Sequence, residues 1–194
     1  MREWSTPRSL IQAETECVDE QRNAFRADSF MGIEIQPIRL QRFLSLKSWA
    51  DGASAQVLAF GGTTLPDAVG VVVSGNCGRL LCVGPIEWNF ISLQAEEVPI
   101  ESASGMACVD LTDAFAGFEV KGALAAQLLA KGCALDFHIR SFPLISCART
   151  RFFGMAALIC KTDDATFEIF VSSSFAAHLY ECLLDASTEW RYHN

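Results

Sequence analysis

Residues 146–171 read Ser146-Cys147-Ala148-Arg149-Thr150-Arg151-Phe152-Phe153-Gly154-Met155-Ala156-Ala157-Leu158-Ile159-Cys160-Lys161, then Thr162-Asp163-Asp164-Ala165, then Thr166-Phe167-Glu168-Ile169-Phe170-Val171. Short runs rich in apolar and β-branched residues, broken at Gly154 and again at the acidic turn, predict strands over Ser146–Phe153, Met155–Lys161 and Thr166–Val171. Upstream, Gly117–Val120 reads as a short strand that leads directly into residues 122–132. These are strong helix formers, with Lys131 in the last turn and Gly132 just past it as a stop signal. Downstream, Ser172-Ser173-Ser174 offers an N-cap to a final helix. On that helix Phe175, Leu179, Cys182, Leu183 and Ala186 share one face, which must pack against a sheet. The half therefore reads β-α-β-β-β-α: an α+β fold with helices on one face of a mostly antiparallel sheet.

The N-terminal half is less regular. Its first 31 residues are charged and lack periodicity, so 1–31 is expected to be a flexible or partner-docked arm, with order beginning near Gly32. The folded domain is expected over 32–187, and 188–194 as a tail. Ile33–Ile38 alternates as a half-buried strand, with Pro37 suggesting a sheet edge. Phe43–Leu46 is a second strand, and Ala53–Phe60 a short helix closed by Gly61-Gly62. Val69–Val73 and Arg79–Val83 flank a glycine-bearing turn and predict a hairpin. Gly84-Pro85 breaks the pattern, and Glu87–Ile91 resumes it. Residues 94–105 read as a polar, acidic loop or short helix, and 105–111 return to the sheet.

Composition bounds the function. The chain has 194 residues, 51% hydrophobic and 20% charged, with a mean hydropathy of +0.24. That is one well-cored domain and not a disordered chain. No apolar run reaches the length of a membrane-spanning helix. The 23 acidic against 15 basic side chains give a net charge of -8, which argues against nucleic-acid binding. None of the eight cysteines falls at zinc-site spacing, and most lie inside apolar strings. With no signal-like apolar stretch near the start, they read as reduced core thiols of a cytoplasmic protein, against the alternative of a disulfide framework.

Catalytic chemistry finds little support. Of the three histidines, His193 is next to the terminus and His178 flanks the apolar stripe of the last helix. His138 lies near Asp136, but no nucleophile elbow accompanies it. The glycines of 70–78 precede a strand, so they fit neither a phosphate loop nor a dinucleotide fingerprint. One cluster does stand out. Eleven of the 15 basic residues are arginine, and Arg140, Arg149 and Arg151 gather with Phe142 in a segment that also follows Asp136 and His138. Arginine forks and aromatic rings are enriched at protein interfaces. Asp136, His138, Arg140, Phe142, Arg149 and Arg151 are therefore the candidate subunit-interface residues, with outward-facing arginines on an ordinary strand as the plain alternative.

Several landmarks occur in order: Gly84-Pro85-Ile86-Glu87-Trp88, Val109-Asp110-Leu111-Thr112, Val120-Lys121-Gly122-Ala123-Leu124-Ala125, Leu129–His138, Phe142-Pro143, Cys147–Arg151, and Phe167–Val171 with Ser173–Ala176. Together they resemble the gamma subunit of heterotetrameric sarcosine oxidase and of related N-methyl amino acid dehydrogenases, over roughly 33–187. The resemblance implies antiparallel sheets with packed helices and ferredoxin-like elements, similar to the folate-binding domain of the aminomethyltransferase fold. It implies a non-catalytic structural subunit partnered by alpha-, beta- and delta-type subunits. FAD, FMN, NAD, zinc and tetrahydrofolate would then reside on the partners of an oxidase that demethylates an N-methyl amino acid. A stand-alone folate-binding protein of the same fold is the alternative. Two positions depart from the family pattern: Ile139 replaces a frequent proline and Ile145 a glycine. Lys131-Gly132-Cys133 also resembles the start of a motif in folate-dependent iron–sulfur maintenance proteins, but Ala134-Leu135-Asp136 stands where its continuation should be.

Overall fold

The computed structural model describes residues 25, 27–30, 32–49, 59–60, 63–94 and 105–191. Two antiparallel sheets lie face to face. The first comprises β1 (Asp28–Phe30), β2 (Ile33–Ile38), β10 (Phe115–Lys121), β11 (Ser146–Phe152), β12 (Met155–Asp163) and β13 (Thr166–Ser172), in the order β1-β2-β10-β13-β12-β11. The second comprises β3 (Arg42–Ser48), β6 (Val72–Ser74), β7 (Arg79–Gly84), β8 (Glu87–Ser92) and β9 (Met106–Asp110), in the order β6-β7-β8-β3-β9. A small ribbon pairs β4 (Ala59–Phe60) with β5 (Thr63–Thr64). Helices α1 (Ala125–Gly132) and α2 (Ala176–Ser187) cover the outer face of the first sheet.

This layering explains why β12 and β13 read as nearly continuous apolar runs instead of alternating ones: both of their faces are covered. Met155, Ala157, Ile159, Phe167, Ile169 and Val171 pack with Leu128, Leu129, Leu179 and Leu183 of the helices. The intervening Leu158, Cys160 and Phe170 point the other way, into a core shared with Phe43, Leu81 and Ile91 of the second sheet. Rings bind that seam: Phe43 stacks on Phe115 at 4.2 Å between centroids and meets Phe170 at 5.9 Å. The far face of the second sheet closes over Leu44, Leu46, Leu80, Trp88 and Phe90, with Phe60 and Leu65 packed on it.

One charged contact crosses the apolar seam. Arg79 Nη2 of β7 lies 2.5 Å from Glu168 Oε2 of β13, whose side chain is only 5% exposed. Burial pushes the Glu168 carboxyl above its ordinary value even though Arg79 pulls it down. Desolvation thus outweighs the attraction, as it often does for a pair out of water. Glu119 sits directly beside Glu168 across the ladder and accepts a 2.6 Å hydrogen bond from Gln36 Nε2. A row of polar groups, Gln36, Glu119 and Glu168, therefore runs across β2, β10 and β13 into the seam.

The strand expectations over 33–38, 43–46, 79–83, 87–91, 117–120, 146–153, 155–161 and 166–171 are met closely, the hairpin strand expected over Val69–Val73 is shifted to Val72–Ser74, and several other details differ. Structure is described ahead of Gly32 as well: β1 pairs with β2 and Phe25 packs on Phe118 and Tyr180. The rest of the expected arm lies outside the described residues. Pro37 falls past Ile35, the last β2 residue paired with β1, so its missing N–H faces no broken ladder there. The helix expected over Ala53–Phe60 lies mostly outside the described residues, and its end, Ala59–Phe60, is strand. The acidic stretch 94–105 is described only at its two ends. Phe153 leaves the strand to form the β11–β12 turn with Gly154, at φ of 45° and 82°, the twist a tight hairpin demands.

The helix ends also differ. Gly132 is the last residue of α1, and its role is packing, since a Cβ there would lie 2.4 Å from Phe152 Cε2. No side chain caps α2, whose start is shifted by a 3-10 turn over Ser173–Phe175. Phe175 consequently precedes the buried face, which is Ala176, Leu179, Leu183 and Ser187. The expected tail is tied down as far as Arg191: Thr188–Arg191 is a 3-10 turn, where Glu189 pairs with Lys131 at 2.6 Å and Trp190 lies under the same ammonium.

Removing one partner of the seam pair leaves a buried charge uncompensated. Arg79→Ala should destabilise the chain by ~3–5 kcal/mol, while the double replacement Arg79→Met with Glu168→Leu should stay near wild type, both read from urea unfolding. Gly122 has φ +124° and would place a Cβ 1.9 Å from the Gly32 carbonyl oxygen. Gly122→Ala should therefore cost roughly 1–3 kcal/mol in the same measurement.

Candidate functional site

The six candidate residues fall on two adjoining pieces of structure, the loop after α1 and the strand β11 at the end of the first sheet. The loop over 133–145 has little regular structure, yet it is tightly held. Asp136 accepts from the His138 backbone N–H at 2.9 Å and from Ser141 Oγ at 2.6 Å, an Asx turn closed by a second bond. These donors hold its carboxyl below the usual carboxylate range. His138 Nδ1 accepts from the Arg140 backbone N–H at 3.3 Å, so that nitrogen is occupied as an acceptor. Phe137 and Phe142 turn inward, both 5% exposed. They meet edge to face at 5.6 Å, with Phe167 of β13 beyond Phe137. Lys161 Nζ donates to the Phe142 carbonyl from beneath.

Asp136, His138 and Phe142 thus build the loop, and Phe142 anchors it to the core. Arg140 is left exposed at its tip. On β11, Arg149 and Arg151 are both exposed but differ in company. Arg149 Nη1 donates to Glu87 Oε2 at 2.7 Å and Nη2 to Asn89 Oδ1 at 3.5 Å, tying the edge of the first sheet to β8 of the second. Glu87 also accepts from Lys47 at 2.7 Å. Arg140 and Arg151 make no ion pair among the described residues. The structure therefore brings Arg149 to Glu87 and Asn89, partners 62 and 60 residues away that no local spacing could reveal.

Other chemically capable groups are quiet. Among the described residues no group of three or more His, Cys, Asp or Glu could hold a metal ion, and no helix is long and apolar enough to cross a membrane. All seven described cysteines are free. Burial pushes the Cys147 thiol up to about 12 and the Cys160 thiol well above its ordinary value, which keeps both protonated and unreactive at neutral pH. Cys182 lies 3.7 Å from His178 Nε2, but burial, Asp185 and Glu181 all raise its pKa, the wrong direction for a nucleophile. Lys131 and Gly132 are engaged in packing α1 against α2 and β11, which accounts for the Lys-Gly pair without a further role.

Two sheets face to face, with helices on one outer face, define a domain of the aminomethyltransferase kind. Residues 87–194 match the GCVT N-terminal domain family. The chain is similar to sarcosine oxidase subunit gamma of Corynebacterium sp. (strain U-96), 30% identical over 145 residues that cover 70% of this chain and 69% of that protein. It is 29% identical to the subunit gamma of Corynebacterium sp. (strain P-1) over 135 residues. That match spans 66% of each protein, about two thirds of the relative's length. Among solved structures it resembles a chain of heterotetrameric sarcosine oxidase from Corynebacterium sp. U-96, with a TM-score of 0.73 and 22% identity over 92% of this chain and 95% of that one. It also shares the fold of the glycine cleavage system aminomethyltransferase T from Bartonella henselae (TM-score 0.57, 13% identity), covering 86% of this chain and 48% of that one. The chain belongs to the sarcosine oxidase gamma subunit family.

The Lys47 and Arg149 contacts hold the Glu87 carboxyl below its ordinary value. A depressed carboxylate contributes stability above its unfolded pKa and loses it as pH falls through the folded one. Melting curves should show wild type and Glu87→Gln converging as pH drops from about 6 to about 3, with the variant lower only at the upper end.

Proposed function

We propose that this chain is a structural, gamma-type subunit of a sarcosine oxidase-like flavoenzyme and carries no catalytic group of its own. The observation that carries this reading is the similarity to proteins named sarcosine oxidase subunit gamma, at 30% identity over 145 residues. The likeness to one chain of the heterotetrameric enzyme runs over nearly the whole length of both. On this reading the partners are alpha-, beta- and delta-type subunits. FAD, FMN, NAD, zinc and tetrahydrofolate are theirs to bind. The assembly oxidatively demethylates an N-methyl amino acid and passes the one-carbon unit to tetrahydrofolate, and the compartment is the cytoplasm.

The physical character of the chain agrees with a bracing role. The Cys147 and Cys160 thiols are protonated in the core, and His138 Nδ1 accepts a backbone hydrogen bond. Arg140 is exposed on the 133–145 loop, and Arg151 is exposed on β11, the end strand of the first sheet. A second reading, a stand-alone folate-binding protein, is favoured by the GCVT N-terminal domain match over 87–194.

Co-expression with the alpha-, beta- and delta-type subunits of the same organism separates the two. A structural subunit should co-purify with a yellow flavoprotein in fixed stoichiometry, and the chain alone should bind no tetrahydrofolate in a calorimetric titration. A monomer that never enters the complex and binds tetrahydrofolate tightly would overturn the proposal.

A further inference from the structure

Beside its buried face, α2 carries a second line of side chains that a bracing role does not use. His178, Glu181, Cys182 and Asp185 stand at i, i+3, i+4 and i+7, so two turns bring them onto one flank of the helix. His178, Glu181 and Asp185 are exposed and Cys182 is half-buried. Neither carboxylate enters an ion pair among the described residues. Cys182 Sγ lies 3.7 Å from His178 Nε2 and 4.0 Å from its Nδ1.

That separation is close to the bite of a chelate. A zinc-class cation bonds sulfur at about 2.3 Å and imidazole nitrogen at about 2.0 Å, and at a tetrahedral angle the two donors then stand about 3.5 Å apart. Charge favours a cation here as well. Burial raises the Cys182 thiol, and Asp185 and Glu181 raise it further. The two carboxylates thus hold positive charge at the sulfur, and a bound metal ion can replace the proton in that role. A thiolate and an imidazole select zinc and its neighbours over magnesium or calcium, whose ligands are oxygens. Two protein donors are half of a tetrahedral set, so spacings that demand three or four ligands pass over this pair, and water fills the remaining positions.

We infer that His178 and Cys182 chelate a divalent cation of the zinc class on the outer flank of α2, through Nε2 and Sγ. On binding, the S–H bond breaks, its proton goes to solvent, and the thiolate takes the metal. The ring donates the Nε2 lone pair and keeps its proton on Nδ1. The site is this chain's own, additional to the zinc that the subunit reading gives to the partners. It holds whether or not that reading does, because both donors lie on one helix.

Cobalt(II) is the probe, titrated into the whole chain, reduced and freed of metal. It should raise a sulfur-to-cobalt charge-transfer band in the near ultraviolet that saturates and is discharged by added zinc. Cys182→Ser should abolish the band, and His178→Ala should weaken cobalt binding by about tenfold or more. Glu181→Gln with Asp185→Asn should weaken binding less and leave the band where it is, since the carboxylates act through charge and not as ligands. These side chains are exposed or half-buried, so every variant should melt near wild type in the absence of metal. No band from the wild-type chain, or a band that survives Cys182→Ser, overturns the site. A band lost with Cys182 but formed equally tightly in His178→Ala overturns the chelate.

Discussion

A guanidinium from one sheet and a carboxylate from the other meet at 2.5 Å inside the largely apolar seam, and the two-sheet architecture turns on that contact. Packing between sheets is non-directional, and flat aromatic and aliphatic faces such as Phe43 against Phe115 and Phe170 could slide by a residue at modest cost. A buried charge pair cannot slide, because displacing either partner leaves an uncompensated ion out of water. Burial raises the Glu168 carboxyl even with Arg79 beside it, so the pair is poor glue and a strict registration device.

The same logic recurs more weakly at the rim. Arg149 reaches from the edge strand of the first sheet to Glu87 and Asn89 of the second, and Glu87 is shared with Lys47. Between the buried pair and this exposed one, the seam is fixed at two places. The edge strand itself is made safe by charge, since outward arginines discourage another strand from pairing there. The lower part of that edge is taken by residues 70–72, opposite Ile145 at φ +62°.

Much of the fold was legible in the sequence because its strongest signals are local. The β12–β13 run, the helix formers of 125–132 and the apolar face of the last helix depend on neighbours within a few residues. Helix caps were read less well. Gly132 looked like a helix stop, and its actual reason is the ring of Phe152 pressed against it. Phe142 looked like an interface aromatic and is a core anchor, because Phe137 and Phe167 lie where only the folded loop can place them.

The sequence by itself determined the class: an acidic, apolar α+β chain whose order of landmarks marks the gamma subunit family. What only the tertiary structure decided are the long-range pairings. Arg79 with Glu168 and Arg149 with Glu87 are 89 and 62 residues apart. No periodicity couples residues at such separations, since their approach is set by the packing of two whole sheets and not by any local preference. The same holds for the apolar surplus. Composition shows that it exists, but only the folded sheets show that Val69, Val71, Leu144 and Ile145 are among the apolar residues left outside.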